Sequence, residues 1–148
     1  MNPALRFFEE RIGQKMLGTP SPFMQWLDPV LVKATEGQLT FAYTIRPEMT
    51  NPIGTLHGGV TAAIIDDAIG ATMFSLGEPH FYTTLNNVID YFAPAWPGQE
   101  VLAITSLIKR GRQIVHAQCE IRERNENKLL ARGISNLMRT DRKKEINT

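Results

Sequence analysis

The sequence predicts an α+β fold in which an antiparallel sheet wraps around one long central helix. Three observations carry that prediction. Residues 58–76 form a single apolar stretch of helical length, crowded with Gly58, Gly59, Ala62, Ala63, Ala68, Gly70 and Ala71. Four strand-like segments follow it, separated by turn residues. In one of them, 113–122, Val115, Ala117, Cys119 and Ile121 alternate with His116, Gln118, Glu120 and Arg122, the pattern of a half-buried antiparallel strand.

Taken in order, Leu5, Phe8, Ile12 and Met16 recur at spacings of three and four and predict an amphipathic helix over 3–17, ended by Gly18, Pro20 and Pro22. Segments 29–34 and 38–45 are strand-like, with a hairpin turn at Glu36-Gly37 between them. Residues 47–57 form a loop. The helix over 58–76 is apolar nearly all round, which predicts a buried helix approached closely on several sides. Strands follow at 82–92, 100–109, 113–122 and 129–140, with turns at Arg110-Gly111-Arg112 and Asn125-Glu126-Asn127. Ala131, Gly133 and Ser135 share one face of the last strand, so something bulky, the central helix, is expected against it. The chain thus divides into a helix and linker (1–24), a main domain (25–140) and a polar tail expected to fray (141–148).

At 148 residues, with 43% hydrophobic and 21% charged residues, the composition is that of one ordinary globular domain. A net charge of +1 gives no bulk attraction to nucleic acid or to a membrane. The single cysteine, Cys119, excludes an intrachain disulfide and fits a reducing compartment. Arg6, Glu9, Glu10, Arg11 and Lys15 interrupt the N-terminal segment, so it does not read as a signal peptide. Asp66 and Asp67 break the one stretch that could be taken for a membrane span. The expectation is a soluble cytoplasmic protein.

The chemistry concentrates in Asn51-Pro-Ile-Gly-Thr-Leu-His57-Gly58-Gly59-Val-Thr-Ala-Ala-Ile-Ile-Asp66. Asp66 sits in a run that otherwise reads as buried, with no Lys or Arg within a helical turn, and a buried acid needs a reason. Asp67 lies about 100° further round the helix, so the two carboxylates cannot enter one pocket. The spacing from His57 favours Asp66 as the reactive one and leaves Asp67 to a polar contact or an interface. Gly58 and Gly59 offer backbone N–H groups at a helix N-terminus, where the dipole favours an oxyanion. His57 is placed to cap that helix or to bond nearby backbone. Asn51 reads equally as turn chemistry, and Thr84 lies on a strand, where threonine is common. Lys109, Arg110 and Arg112 around Gly111 make a hairpin tip that is either solvated or phosphate-binding. The three histidines and one cysteine show no metal-ligand spacing, and there is no phosphate loop, dinucleotide fingerprint or Gly-x-Ser-x-Gly elbow.

The element order, His57-Gly58-Gly59 opening the helix, Asp66 nine residues on, Thr84, and the run Asp90-Tyr91-Phe92-Ala93-Pro94-Ala95 together resemble the hotdog-fold acyl-CoA thioesterases. Within the 4-hydroxybenzoyl-CoA thioesterase superfamily they are most similar to the phenylacetate-degradation (PaaI-like) branch and its animal relatives. The resemblance covers roughly residues 25–140. It implies a hotdog fold and hydrolysis of an acyl- or aryl-CoA to the free acid and CoA. It places Asn51, His57, Gly58, Asp66 and Thr84 at the thioester, counts Gly59 and Tyr91 with the substrate, and puts Lys109, Arg110, Gly111 and Arg112 near the CoA nucleotide. Asp66 would attack the carbonyl or activate a water, and Thr84 would hold that water. No metal or redox cofactor is implied; coenzyme A enters as part of the substrate. The alternatives are a hotdog acyl-thioester dehydratase or hydratase, and a non-catalytic acyl-CoA-binding protein.

Gly58 and Asp66 are eight residues apart on one helix, about 12 Å at ~1.5 Å per residue. Groups acting on one carbonyl must come within ~3–3.5 Å of it. That mismatch predicts a two-fold dimer with antiparallel central helices, in which Gly58 of one subunit faces Asp66 of the other. The resemblance implies the same sharing of sites, as a dimer or a dimer of dimers.

Overall fold

The computed structural model describes residues 1–145. Two short helices, α1 (Pro3–Glu9) and α2 (Pro22–Leu27), precede the hairpin β1 (Val30–Thr35) and β2 (Gln38–Thr44). A 3-10 turn at Pro47–Met49 leads to the long helix α3 (Gly58–Ser75). Strands β3 (His80–Tyr91), β4 (Glu100–Arg110), β5 (Ile114–Glu123) and β6 (Leu129–Lys143) complete the chain. All six strands form one antiparallel sheet in the order β1-β2-β4-β5-β6-β3, curled around α3. This is the expected hotdog architecture.

The core is the space between α3 and the inner face of the sheet. Ile64, Ile65, Ala68 and Ile69 of α3 meet Phe41, Val101, Ala103, Val115, Ala117, Cys119, Ile121 and Leu137 of the strands. Burying each large aliphatic side chain is worth about 1.5–3 kcal/mol. The expected close approach to β6 occurs at Gly133, where a Cβ would come within 2.7 Å of Ile65 Cγ2. One buried polar bridge crosses the core. Thr72 donates to Ala68 O (2.9 Å), and its oxygen lies 2.6 Å from that of Thr105, which accepts from Leu39 N–H (2.9 Å). That bridge ties α3 to the β2–β4 pair.

The N-terminal region departs from the helix expected over 3–17. α1 ends at Glu9, and the chain turns at Gly13, whose φ of +83° suits glycine. It then runs extended beside β1, with Gly13 N–H donating to Leu31 O and Met16 N–H to Pro29 O. Met16 therefore reaches the core from an extended segment rather than from the last turn of a helix, and its spacing from Phe8 is coincidental. The linker expected up to residue 24 contains the start of α2. Ser21 caps that helix by accepting from Met24 N–H, and Pro22 occupies the first turn, where a missing N–H costs nothing. Phe8, Met24 and Leu27 join the same core as the sheet.

At the other end, the polar tail begins later than expected. β6 continues through Lys143, which pairs with His80. Lys144 N–H then donates to Pro79 O at 2.8 Å, and residues 146–148 lie outside the described residues. Among the described residues no helix is long and apolar enough to cross a membrane.

Candidate active site

His57 is the N-cap of α3, and its extended backbone lets the ring fold back over the first turn. Its Nδ1 accepts from Gly59 N–H at 2.8 Å, which puts the ring proton of the neutral imidazole on Nε2, facing outward. The two glycines therefore differ. Gly59 N–H is spent on the cap, a correction to the expectation that both donors are free. Gly58 N–H has no acceptor among the described residues. Tyr91 of β3 donates its hydroxyl to Gly58 O at 2.7 Å and so fixes the entry of the helix against the sheet.

Asp66 is exposed in this chain, not buried as its apolar neighbours suggested. At 100° per residue, Ile64, Ile65, Ala68 and Ile69 turn inward while Gly59, Asp66 and Gly70 fall on a face left open. The carboxylate is nevertheless held. Thr84 Oγ1 and Asn87 Nδ2 both donate to its Oδ1, at 2.9 and 3.0 Å. Asn87 must turn its NH₂ to an acceptor-only carboxylate, so its own Oδ1 accepts from the Ser135 hydroxyl. A chain of three side chains thus fixes one oxygen of Asp66. Its Oδ2 has no donor among the described residues.

Asn87 was not found from the sequence, and a β-bulge explains why. Thr84 pairs with Leu137 and Asn86 with Asn136, so Leu85 is an extra residue in β3. Strict alternation from Thr84 would bring Asn86 inward. The bulge brings Asn87, Ile89 and Tyr91 inward instead, opposite Ser135, Gly133 and Ala131.

Asp67 is the more enclosed acid. Ser21 donates to its Oδ1 at 3.2 Å, while Oδ2 is buried without a partner among the described residues, as is the hydroxyl of Tyr43. Burial pushes the Asp67 carboxyl up to about 6, against the Ser21 hydrogen bond and with the Asp66 charge adding to the rise. Burial, then the Asp67 charge, also raises the Tyr43 phenol. Burial pushes the Cys119 thiol up, which leaves it inert as a nucleophile. Asn51 is absorbed by its own loop. It accepts from Ile53 and Thr55 N–H and donates to Thr55 Oγ1 (2.8 Å), so it does not join Asp66 in this chain.

A cleft of about 430 Å³ opens where β4 turns into β5. Of the four residues 109–112 singled out in the sequence, Arg110, Gly111 and Arg112 line it and Lys109 does not. Arg139 of β6, Tyr82 of β3, Glu78 and Gln113 also line it. Arg139 could have been found only by pairing strands, since it sits opposite Tyr82 in the β3–β6 register. Tyr82 lies two residues before Thr84 on the same face, about 7 Å along a strand. The cleft and Thr84, which holds Asp66, therefore lie along β3.

Residues 53–130 match the family model described as the thioesterase superfamily. The chain is 32% identical over 107 residues to human acyl-coenzyme A thioesterase 13, covering 70% of this chain and 74% of that protein. Its fold is similar to that of the PaaI protein from the phenylacetic acid degradation operon of E. coli, with a TM-score of 0.82 at 17% identity over 96% of this chain and 97% of that one. It is also similar to a thioesterase protein from Streptococcus pneumoniae solved with coenzyme A, with a TM-score of 0.73 at 18% identity over 79% and 92% of the two chains.

Proposed function

The chain belongs to the thioesterase superfamily, and from that premise we propose that it hydrolyses an acyl- or aryl-CoA thioester to the free acid and CoA. The observation that carries the reading is Asp66, with one carboxylate oxygen fixed by Thr84 and Asn87 and the other open. The free oxygen attacks the thioester carbonyl, giving a mixed anhydride, or takes a proton from a water that attacks it. Trapping a labelled acyl-enzyme distinguishes the two routes. Thr84 gives its one hydrogen to Asp66, so its lone pairs remain to accept from that water. The Gly58 N–H, with the α3 dipole behind it, stabilises the oxyanion. His57 Nε2–H helps to place the thioester carbonyl, and Asn51 acts by holding the loop that leads to His57.

Arg110, Arg112 and Arg139 suit the nucleotide phosphates of CoA, since guanidinium groups bind phosphate in a bidentate fork. Coenzyme A on a neighbour of the same fold supports that reading.

The site is proposed to be shared between two copies. The open face of α3 carries Asp66 between Gly59 and Gly70, two glycines that let a second helix approach closely, and β3 is an edge strand with one side unpaired. Leu85 and Val88 are exposed on that strand at 51% and 62%. A two-fold axis there would add β3 to β3 and bring Gly58 of one copy to Asp66 of the other.

Thiol release from a panel of acyl- and aryl-CoA esters tests the function. Asp66→Asn is expected to lower turnover by about 10³-fold or more. Unchanged release by that variant would sink the reading, and consumption of an unsaturated acyl-CoA without thiol release would point to a hydratase.

A further inference from the structure

The cleft at the β4–β5 turn holds three arginines and one carboxylate. The carboxylate is the odd member, because an acid in the wall repels the phosphate that the arginines attract. Glu78 comes from the turn after α3, next to Gly77 with its φ of +72°. Its side chain pairs with the Arg110 guanidinium, and Glu36 from the β1–β2 turn lies 4.0 Å from another nitrogen of the same group. Arg112 and Arg139 have no ion-pair partner among the described residues. Arg110 alone is therefore already matched to a carboxylate.

We propose that Glu78 is a positioning residue that acts as an internal stand-in for phosphate: it holds Arg110 across the cleft and is displaced from it when a CoA ester binds. The proposal rests on the reading of this cleft as the CoA site. The exchange is energetically modest. An exposed carboxylate–guanidinium pair is worth about 0–1 kcal/mol, and both partners here are partly exposed, Arg110 at 40% and Glu78 at 30%. A bidentate guanidinium–phosphate pair is stronger, since the phosphate brings more charge in a matching geometry. Displaced Glu78 keeps a cation nearby, because its charge acts on the half-buried Lys144. Binding by exchange weakens the hold on the nucleotide without removing it, and so favours release of the CoA product.

Calorimetric titration of the full chain with CoA tests this, using Glu78→Gln, Arg110→Gln and the double variant. Glu78→Gln is expected to tighten CoA about two- to fivefold. The ratio of KM for acyl-pantetheine, which lacks the nucleotide, to KM for acyl-CoA should rise by the same factor. With Arg110 already replaced, the gain from the Glu78 substitution should shrink to what direct repulsion of the phosphate contributes, because the rest passes through that guanidinium. Unchanged or weaker CoA binding in Glu78→Gln overturns the exchange, as does an equal gain in the Arg110→Gln background. Failure of the thioesterase reading has a different signature: CoA binds and responds to the variants, but no thiol is released from either ester. A wild-type chain that binds no CoA overturns both.

Discussion

At Asp66 two neutral donors converge on a single oxygen, and the arrangement fixes the direction of an otherwise exposed helix carboxylate. Asn87 is the less expendable donor, since it is itself clamped by Ser135. Asn87→Ala removes a hydrogen bond to a charged group, a loss of about 1.5–3 kcal/mol. The expected outcome is a fall of at least tenfold in kcat/KM for the preferred ester, while a variant as active as wild type would show that Thr84 orients the acid alone. Asp67 behaves differently because its carboxyl is raised from 3.8 to about 6. Between those values the folded chain keeps a proton that the unfolded chain has released, so stability falls as pH rises through that window, and the cost persists above it. Asp67→Asn keeps an acceptor for Ser21 and removes the charge. It should therefore raise Tm at neutral pH, by the equivalent of about 2 kcal/mol or less once partial exposure is discounted. The gain should shrink on acidification through about pH 6 to 4. Thermal melts across that range check it, and a gain that does not change with pH contradicts a raised carboxyl.

Among the elements, the contact between α3 and β6 sets where Asp66 stands. A methyl group at Gly133 would meet Ile65 Cγ2 at 2.7 Å and Cδ1 at 3.1 Å. Ile65 is β-branched and stiff, so the helix rather than the side chain must give way. Gly133→Ala is expected to cost about 1–3 kcal/mol by overpacking, and to reduce turnover beyond that loss because Asp66 is the next residue on α3. Denaturant unfolding and kinetics on the folded variant measure the two effects separately, and a variant with wild-type stability would mean that the core yields more easily than this packing implies. The bulge at Leu85 works in the same way, since it decides which side chains of β3 reach the helix. Elements with their own signals were legible in the sequence. The hairpin turn at Glu36-Gly37, the capped start of α3 and the alternation in β5 are local patterns. α2 was hidden because Ser21-Pro22 reads as a break when taken alone and as a cap with a first-turn proline when a helix follows.

For the molecule as a whole, the open face of α3 and the unpaired edge of β3 leave Asp66 facing solvent in a single copy. The proposed two-fold assembly has a direct test in mixed subunits. Asp66→Ala and Gly58→Leu chains, each inactive alone, are mixed and allowed to exchange. Heterodimers should regain one working site of two, up to about a quarter of wild-type activity at equal random mixing. No recovery after subunit exchange has been verified by mass would count against shared sites. Sedimentation of Val88→Lys, which puts a like-charge pair across the proposed edge, should shift the protein towards monomer and lower its turnover with it.

The sequence alone determined the long helix and its start, the number of strands and their succession along the chain, the thioesterase pattern around His57-Gly58-Gly59 and Asp66, and the arginine turn. Each is written in residues close together along the chain, where spacing and turn chemistry act locally. The tertiary structure decided that Asp66 is exposed while Asp67 is enclosed, that Asn87 rather than Asn86 reaches the acid, that Arg139 and Glu78 join Arg110, and that, among the described residues, Gly58 N–H has no acceptor while Gly59 N–H has one. These depend on a one-residue bulge, on which strand is an edge, and on a ring folding back over a helix end. A run of apolar neighbours implies burial only when every face of the helix is covered, and that is fixed by what packs against it.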